Sequence, residues 1–157
     1  MTAPKKRFQD SGDRLYELLD EVLVICPECR GRARVGLRHP EVGGHFAPRR
    51  LVCGGCSYTK DSSGQEVWTG IPFDPFFRQP LWLQGNFRGR VLWAYNVRHL
   101  RLLEEYVGAS LREHRQREGL GWHNQSLVNR LPKWLKSGKN RDGVRRVIAR
   151  LKQSLVS

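Results

Sequence analysis

The chain has 157 residues and a formal net charge of +13 at pH 7. This length suits one ordinary domain, or a small metal module with a second compact unit, and excludes a larger set of domains. Hydrophobic residues make up 39% of the sequence, which is enough for a core and excludes disorder throughout. No stretch approaches the roughly 18 apolar residues of a membrane span, and no apolar run follows the basic residues near the start. We therefore expect a cytoplasmic protein that does not contact membranes.

The positive charge is concentrated in two segments. Residues 26–60 carry seven basic and two acidic side chains, and residues 120–157 carry nine basic side chains and one acidic. Residues 61–95 hold three of each sign. A segment as one-sided as the last quarter of the chain favours a polyanionic partner.

All four cysteines belong to two C-x-x-C motifs with 23 residues between them. Two such pairs present four thiolates, which zinc binds tetrahedrally at about 2.3 Å without redox change. Disulfides or a thioredoxin-like redox site fit less well, because a redox motif needs only one pair, at the start of a helix. His39 and His45 are expected to be loop residues and not ligands. The sequence therefore predicts one structural Zn2+ bound by Cys26, Cys29, Cys53 and Cys56.

The residues around both motifs favour short strands. The expected strands are residues 22–25, 33–37 and 51–52, and residues 39–48 are typical of a loop. Gly31, Gly54 and Gly55 are expected to adopt positive φ, so that backbone amides turn toward the sulfurs. We interpret residues 22–62 as a zinc ribbon that follows an N-terminal segment, residues 1–21.

A β-hairpin is predicted beyond the ribbon. Its strands are residues 80–84 and 90–95, and its loop, residues 85–89, contains two glycines. The aromatic side chains of this part either form core with neighbouring leucines and valines or stack on unpaired bases. Core is favoured, because residues 61–95 have no net charge to hold phosphates. These aromatic residues are Phe76, Phe77, Trp82, Trp93 and Tyr95.

Three helices are predicted after the hairpin. The first is capped by Asn96 and extends to about residue 116, with Leu111 on its apolar face. The second covers residues 125–131, where Pro132 either kinks it or begins a new turn. The third has Val144, Val147, Ile148, Leu151 and Leu155 at helical spacing. The predicted fold class is α+β: a zinc ribbon of short antiparallel strands, then a β-hairpin and about three C-terminal α-helices in residues 63–157.

Several short motifs accompany the cysteine pairs. They are Asp74-Pro75, Pro80-Leu81-Trp82-Leu83-Gln84, Leu92-Trp93-Ala94-Tyr95-Asn96, His99-Leu100, Arg130-Leu131-Pro132 with Trp134, Lys136-Ser137 and Lys139-Asn140-Arg141. Together with CPEC and CGGC, they make residues 22–141 similar to an uncharacterised group of small bacterial zinc-ribbon proteins. The resemblance implies a zinc ribbon and a bacterial cytoplasm, and it implies no particular activity. Some members carry further cysteines where this chain has Gly85 to Gly89, so no second metal site is implied here.

The last quarter of the chain supplies the candidate nucleic-acid-binding residues. On an ideal helix, Arg141, Arg145 and Lys152 fall within about 40° of one another beside the apolar stripe. Such an array suits phosphate backbones, because each lysine or arginine contact releases condensed counterions. The full candidate set is Arg130, Lys133, Lys136, Lys139, Arg141, Arg145, Arg146, Arg150 and Lys152.

The sequence thus favours a non-catalytic zinc-ribbon protein that binds DNA or RNA phosphates through its basic C-terminal helical region. A second hypothesis is an adaptor subunit of a transcription or ribosome-associated assembly, which would act mainly through protein–protein contacts. Catalysis is less compatible with the sequence. Asp61, Glu66 and Asp74 lack the clustered spacing that holds magnesium, and a four-cysteine zinc has no open position for water.

Overall fold

A computed structural model describes residues 7–9, 18–41, 47–62, 71–108, 111–113 and 131–156. The strands are β1 (Arg7–Gln9), β2 (Glu21–Ile25), β3 (Arg32–Leu37), β4 (Arg49–Cys53), β5 (Thr59–Ser62), β6 (Leu83–Phe87), β7 (Arg90–Ala94) and β8 (Leu111–Glu113). The helices are α1 (Val97–Gly108), α2 (Lys133–Lys136) and α3 (Arg141–Gln153), with a 3-10 turn at Gly138–Asn140. The predicted α+β class is confirmed. Residue contacts divide the chain into two units, Tyr16–Leu100 and a second formed by Met1–Leu15 with Arg101–Ser157.

The unit Tyr16–Leu100 is built on an antiparallel sheet in the order β2-β3-β4-β5. Val22 lies opposite Val35, and Val35 lies opposite Leu51, so these three side chains share one face of the sheet. All three are buried. Alternate residues of a strand point to opposite faces, which leaves the other face of β3 and β4 to arginines and Val52. The predicted ribbon strands are confirmed.

Strand β2 is hydrogen-bonded along both edges. One edge pairs with β3. On the other edge, Leu23 accepts a bond from the Trp82 amide at 3.0 Å and donates to the Tyr95 carbonyl at 2.8 Å, while the Ile25 amide donates to the Pro80 carbonyl at 2.9 Å. The ribbon sheet and the hairpin region therefore share β2.

The hairpin exists, but its first strand lies later than predicted. The expected strand at residues 80–84 and five-residue loop are wrong: β6 and β7 are joined by the two residues Arg88 and Gly89. Both have positive φ, 48° and 80°, as the tight turn that matches strand twist requires. Asn86 Oδ1 accepts the Gly89 amide at 2.9 Å. Gly85 sits within the ladder, opposite Leu92.

Of the five aromatic residues predicted to form core, Phe76 and Tyr95 are buried, while Phe77, Trp82 and Trp93 are half-buried. Tyr95 is fully buried, with its ring centroid 5.0 Å from that of Trp93 and 5.5 Å from that of His99. Phe76 is buried too, and its ring lies 4.4 Å below the guanidinium carbon of Arg49. Burial lowers the pKa of Arg49, and its guanidinium donates to the Leu19 carbonyl at 3.1 Å. The rings of Phe76 and Tyr95 are therefore engaged in packing and are not presented as base-stacking platforms.

Asp74 organises the loop that precedes the hairpin. Its Oδ1 accepts the amides of Phe76 and Phe77 at 2.9 and 2.7 Å, and its Oδ2 accepts the amide of Gln79 at 2.6 Å. Burial raises the pKa of Asp74, while these amides oppose the rise. The carboxylate is fully buried and committed to the loop backbone.

Helix α1 begins where the sequence predicts and ends earlier. Asn96 Oδ1 accepts the His99 amide at 2.9 Å, which is an N-cap. The predicted extension to about residue 116 is wrong, because α1 ends at Gly108 and Leu111 belongs to β8, which pairs in parallel with β1. Glycine inside a helix costs about 1 kcal/mol relative to alanine, which favours an end there.

The other unit contains the predicted third helix. The apolar stripe of α3 is buried at four of the five expected positions, while Leu155 is half-buried; the buried residues are Val144, Val147, Ile148 and Leu151. Pro132 directly precedes α2, as in the prediction of a new turn. The predicted helix at residues 125–131 lies outside the described residues except for Leu131, which is in a bend. Lys152 donates to Glu104 at 3.0 Å and so ties α3 to α1. Among the described residues, none of the helices has the length and apolarity needed to cross a membrane.

Lowering the pH is expected to destabilise the protein through His99. Burial lowers the pKa of His99 to about 3, and its Nδ1 accepts the Tyr95 amide at 2.9 Å; an unfolded histidine titrates near pH 6.5. Only the unfolded chain takes up the proton in this range. The stability due to neutral His99 is therefore complete above pH 6.5 and is lost progressively as the pH falls toward 3. Between pH 7 and pH 5 we expect the free energy of unfolding to drop by about 2 kcal/mol in urea titrations.

Two variants isolate this contribution. His99→Gln should lower stability at pH 7 and remove this part of the pH dependence, whereas His39→Gln, at an exposed position, should retain it. Equal pH dependence of wild type and His99→Gln would contradict the assignment.

Candidate metal centre

The four cysteine sulfurs converge on one point at the end of the ribbon sheet. All four Sγ atoms lie within 4.8 Å of one another. Cys26 Sγ is 3.6 Å from Cys56 Sγ, and Cys29 Sγ is 3.5 Å from Cys53 Sγ. A disulfide would bring two sulfurs to about 2.05 Å, so these contacts are not disulfides. Four sulfurs at 2.3 Å from a tetrahedral zinc would be about 3.8 Å apart, and the cluster has this size.

The two C-x-x-C segments repeat one backbone pattern. In the first, the Arg30 amide donates to the Cys26 carbonyl at 2.9 Å, and the Cys26 amide donates to the Gly31 carbonyl at 2.8 Å. In the second, the Ser57 amide donates to the Cys53 carbonyl at 3.0 Å, and the Cys53 amide donates to the Tyr58 carbonyl at 2.9 Å. Each strand thus delivers a buried cysteine, and each turn an exposed one. We call these turns the first and second knuckle.

The left-handed residue of each knuckle is not a glycine. Arg30 and Ser57 adopt φ of 61° and 64°, whereas Gly31, Gly54 and Gly55 do not have positive φ, so that expectation is wrong. The left-handed region costs a residue with a side chain about 1–2 kcal/mol. The hydrogen bonds from Arg30 and Ser57 back to Cys26 and Cys53 determine which residue is left-handed. The sequence had suggested the neighbouring glycines instead.

The glycine of the first knuckle is needed for close approach. A Cβ on Gly31 would lie 3.3 Å from Cys29 Sγ, and the Gly31 amide donates to that sulfur at 3.4 Å. A Cβ on Gly55 would meet two sulfurs at ordinary contact distances, 3.8 and 3.9 Å. A Cβ on Gly54 would meet nothing within 4 Å.

Electrostatics favour a cation at this centre. The amides of Cys56 and Gly55 donate to the Cys53 sulfur and lower the pKa of Cys53 to about 7. The Tyr58 amide acts in the same sense on Cys56, but desolvation and the neighbouring cysteines outweigh it and raise the pKa of Cys56 to about 12. Four thiolates at this separation oppose one another's ionisation, and a divalent cation removes that repulsion. The sulfur-only donor set and its amide donors fit a closed tetrahedral metal site. The four cysteines are positioned to bind one metal ion.

The histidines of the ribbon do not join the cluster as far as the structure describes them. His39 is exposed, with its Nδ1 3.7 Å from a carboxylate oxygen of Glu41. His45 lies outside the described residues. Within the described residues, the group of potential metal ligands consists of the four cysteines.

The predicted nucleic-acid-binding residues fall mostly on α2, α3 and the turn between them. The exposed ones are Lys133, Lys139, Arg145, Arg146, Arg150 and Lys152, while Lys136 and Arg141 are half-buried. Arg130 lies outside the described residues. Lys152 is paired with Glu104, so its charge is partly balanced.

Comparisons of the chain with protein-family models, with curated proteins and with solved structures find no significant match. The resemblance to a group of bacterial zinc-ribbon proteins is therefore supported by the cysteine cluster alone, and no family is assigned.

Removing one exposed ligand is expected to abolish stoichiometric metal binding. Cys56→Ser replaces a thiolate by a hydroxyl that stays protonated and binds soft metals poorly. Elemental analysis should give one metal ion per wild-type chain and well below one for the variant. The matched control is Ser57→Gly, which changes the next residue without touching a ligand and should retain the metal. Equal metal content in Cys56→Ser and wild type would contradict the ligand assignment.

Gly31→Ala is expected to weaken metal binding, because the new methyl group crowds the Cys29 sulfur and disturbs the hydrogen bond that the residue 31 amide donates to it. We expect an effect on the order of tenfold in a competition titration with a chromophoric chelator, as for other groups that orient metal ligands. Gly54→Ala, in the open part of the second knuckle, should leave the affinity unchanged. A similar loss in both variants would indicate a general intolerance of the knuckles and not crowding of one sulfur.

Proposed function

We propose that the four cysteines hold one structural Zn2+ and that the protein binds nucleic acid, without catalysis, through the basic surface of α3. The observation that carries the proposal is the separation of charge and apolar residues on this helix. Its apolar stripe is buried, and most of its arginines are exposed. Because the apolar stripe packs the helix against the core, the arginines remain exposed to solvent and to a ligand.

The arrangement of α3 suits contact with phosphates. At 100° per residue, Arg146 lies on the side away from the buried stripe, while Arg145 and Arg150 flank the stripe, one on each side. The one acidic residue of α3 is Asp142 in the first turn, where it complements the helix dipole. Arg145 and Arg146 also line an open cleft of about 330 Å³ with Glu104, Gly108 and Ala149. Exposed arginines of this density favour a polyanion over a neutral ligand.

Zinc is the metal that the centre favours. Four sulfur donors select zinc or iron, and a tetrahedral zinc site with four cysteines is closed to substrate and water. Its role would be to join the two knuckles and thereby fix the end of the ribbon sheet. Elemental analysis that identifies a metal other than zinc in protein from its native host would overturn this part.

The acidic residues support a non-catalytic role. Asp74 is buried and accepts three backbone amides. Asp61 is paired with Arg50 at 2.7 Å, and Arg38 lies 3.7 Å from its carboxylate. Glu66 lies outside the described residues. The carboxylates of Asp61 and Asp74 are therefore engaged within the protein, which disfavours a catalytic magnesium ion at either residue.

An adaptor role in a transcription or ribosome-associated assembly is the second candidate. Several large apolar side chains of the unit Tyr16–Leu100 are exposed by about two fifths, which suits protein contacts; they are Val52, Ile71, Phe73, Val91 and Val97. An adaptor of this kind would bind nucleic acid poorly when isolated. Absence of binding to duplex DNA and to single-stranded RNA at low salt would favour it over the leading proposal.

Salt dependence tests the role of α3. If about six cations meet phosphates, the slope of log affinity against log salt should be roughly −5 on duplex DNA. Replacing Arg145, Arg146 and Arg150 together by Gln should reduce the magnitude of this slope by about three and weaken binding on every sequence alike. Fluorescence anisotropy with labelled duplex DNA and single-stranded RNA measures both quantities.

The control removes the same charge elsewhere. Arg90, Arg98 and Arg101 are exposed and lie outside α3. Their combined replacement by Gln should change the slope much less. Equal effects of the two triple variants would mean that net charge, and not the surface of α3, determines binding.

A further inference from the structure

The ribbon carries a second row of arginines, separate from those of α3. From Arg30 in the first knuckle to Arg34 in β3, arginine alternates with a small residue; Gly36 interrupts the alternation, and Arg38 follows β3. Ala33 and Val35 are buried, and the intervening arginines are exposed; the exposed residues are Arg30, Arg32, Arg34 and Arg38. Residues two apart on one face of a strand are about 7 Å apart. The row is therefore an extended line of positive charge.

Strand register adds a further arginine to this face. Arg34 lies opposite Val52, and Gly36 lies opposite Arg50. Because directly opposite residues share a face, Arg32, Arg34 and Arg50 all belong to the outer face of the sheet. We call Arg30, Arg32, Arg34 and Arg50 the ribbon arginines.

This outer face is partly preorganised. Arg50 Nε donates to Asp61 Oδ1 at 2.7 Å, and its terminal nitrogen donates to Asp61 Oδ2 at 3.2 Å. The bidentate pair fixes the Arg50 guanidinium on β4 and partly balances its charge, so Arg50 adds less to the positive field of this face than its formal charge. Gly36 has no side chain and Val52 is 41% exposed, so the sheet surface next to the arginines is accessible to a ligand.

Arg30 occupies a backbone position that would suit glycine better. Its φ of 61° matches the 64° of Ser57 at the corresponding place in the second knuckle. An arginine here places a cation at the exposed turn next to the metal centre, although its left-handed backbone costs conformational free energy. Residues held in such conformations are more common at functional sites than elsewhere.

We propose that the ribbon arginines form a second nucleic-acid-binding surface, which contacts the phosphodiester backbone. The guanidinium group is planar and matches phosphate oxygens with paired donors. Residues 26–60 carry seven basic and two acidic side chains, so the segment attracts polyanions as a whole. The proposal rests on the proposed function in taking the same ligand class, and it adds a surface in the unit Tyr16–Leu100 to the one on α3.

The test compares the ribbon arginines with α3 in the full-length, metal-loaded protein. The ribbon variant combines Arg30→Gly, Arg32→Gln and Arg34→Gln, all at exposed positions. Anisotropy titrations over a range of salt, with labelled single-stranded RNA and duplex DNA, should show a slope smaller in magnitude by about three than that of wild type. Combining it with the α3 triple variant should lower affinity further than either alone.

Arg30→Gly provides a readout that a structural role would not give. Glycine relieves the left-handed backbone, so the melting temperature should rise by about 2 °C, while nucleic-acid affinity falls. Ser57→Gly relieves the same strain in the second knuckle and should raise the melting temperature with no change in affinity. The expected result is that Arg30→Gly raises the melting temperature and lowers nucleic-acid affinity, whereas Ser57→Gly changes only the melting temperature.

Three outcomes decide the matter. A ribbon variant that keeps its metal and binds both nucleic acids as tightly as wild type overturns this proposal, and the proposed function stands if the α3 variant is still impaired. Wild-type protein that binds neither nucleic acid at low salt overturns both, and points to an acidic protein as the partner of these arginines. Loss of affinity in the ribbon variant with unchanged salt slope also overturns it, because phosphate contacts must contribute to the slope.

Discussion

Four sulfurs held within 4.8 Å of one another are the constraint on which the ribbon depends. Each knuckle that brings them together is a short turn with two backbone hydrogen bonds and amide hydrogen bonds to its sulfurs, and it exposes one cysteine to solvent. A cation at the centre converts mutual repulsion of thiolates into attraction. A bound ion would thereby fix β2 and β4 at the ends that deliver Cys26 and Cys53, with Ala33, which lies opposite both Val24 and Cys53, between them.

The same sheet separates packing from charge by the alternation of its strands. The inner face buries valine, leucine and even a guanidinium group, that of Arg49, which finds a carbonyl and an aromatic ring there. The outer face is left to Arg34 and its neighbours. Helix α3 makes the same separation with a period of 3.6 in place of two. In both units the exposed cations occupy the positions that the apolar pattern of the core leaves to solvent, and they outnumber the acidic residues there.

Local patterns predicted much of this architecture, and long-range contacts explain most of the errors. The cysteine spacing predicted the cluster, alternation predicted β3, and the stripe from Val144 to Leu151 predicted α3. The positive φ of Arg30 and Ser57 was missed, because hydrogen bonds to the preceding cysteine, and not the presence of glycine, determine which residue turns. The early end of α1 was missed because the pairing of β8 with β1 joins segments about a hundred residues apart, a contact that no local period contains. Each error had a local indicator. The residue four positions after the first cysteine of a knuckle has positive φ in both knuckles, and Gly108 marks the end of α1.

Strand β2 has a consequence for how the protein is made. The four cysteines emerge from the ribosome before residues 80–95 do, so the nascent ribbon could take up a metal ion while the second edge of β2 has no partner. The side chain of Asn96 donates to the Leu18 and Glu21 carbonyls across 78 and 75 positions, so these bonds can form only after residue 96 has been made. An open strand edge is a template for association with other chains. A metal-first order of assembly would keep this edge twisted and anchored during the interval in which it is exposed.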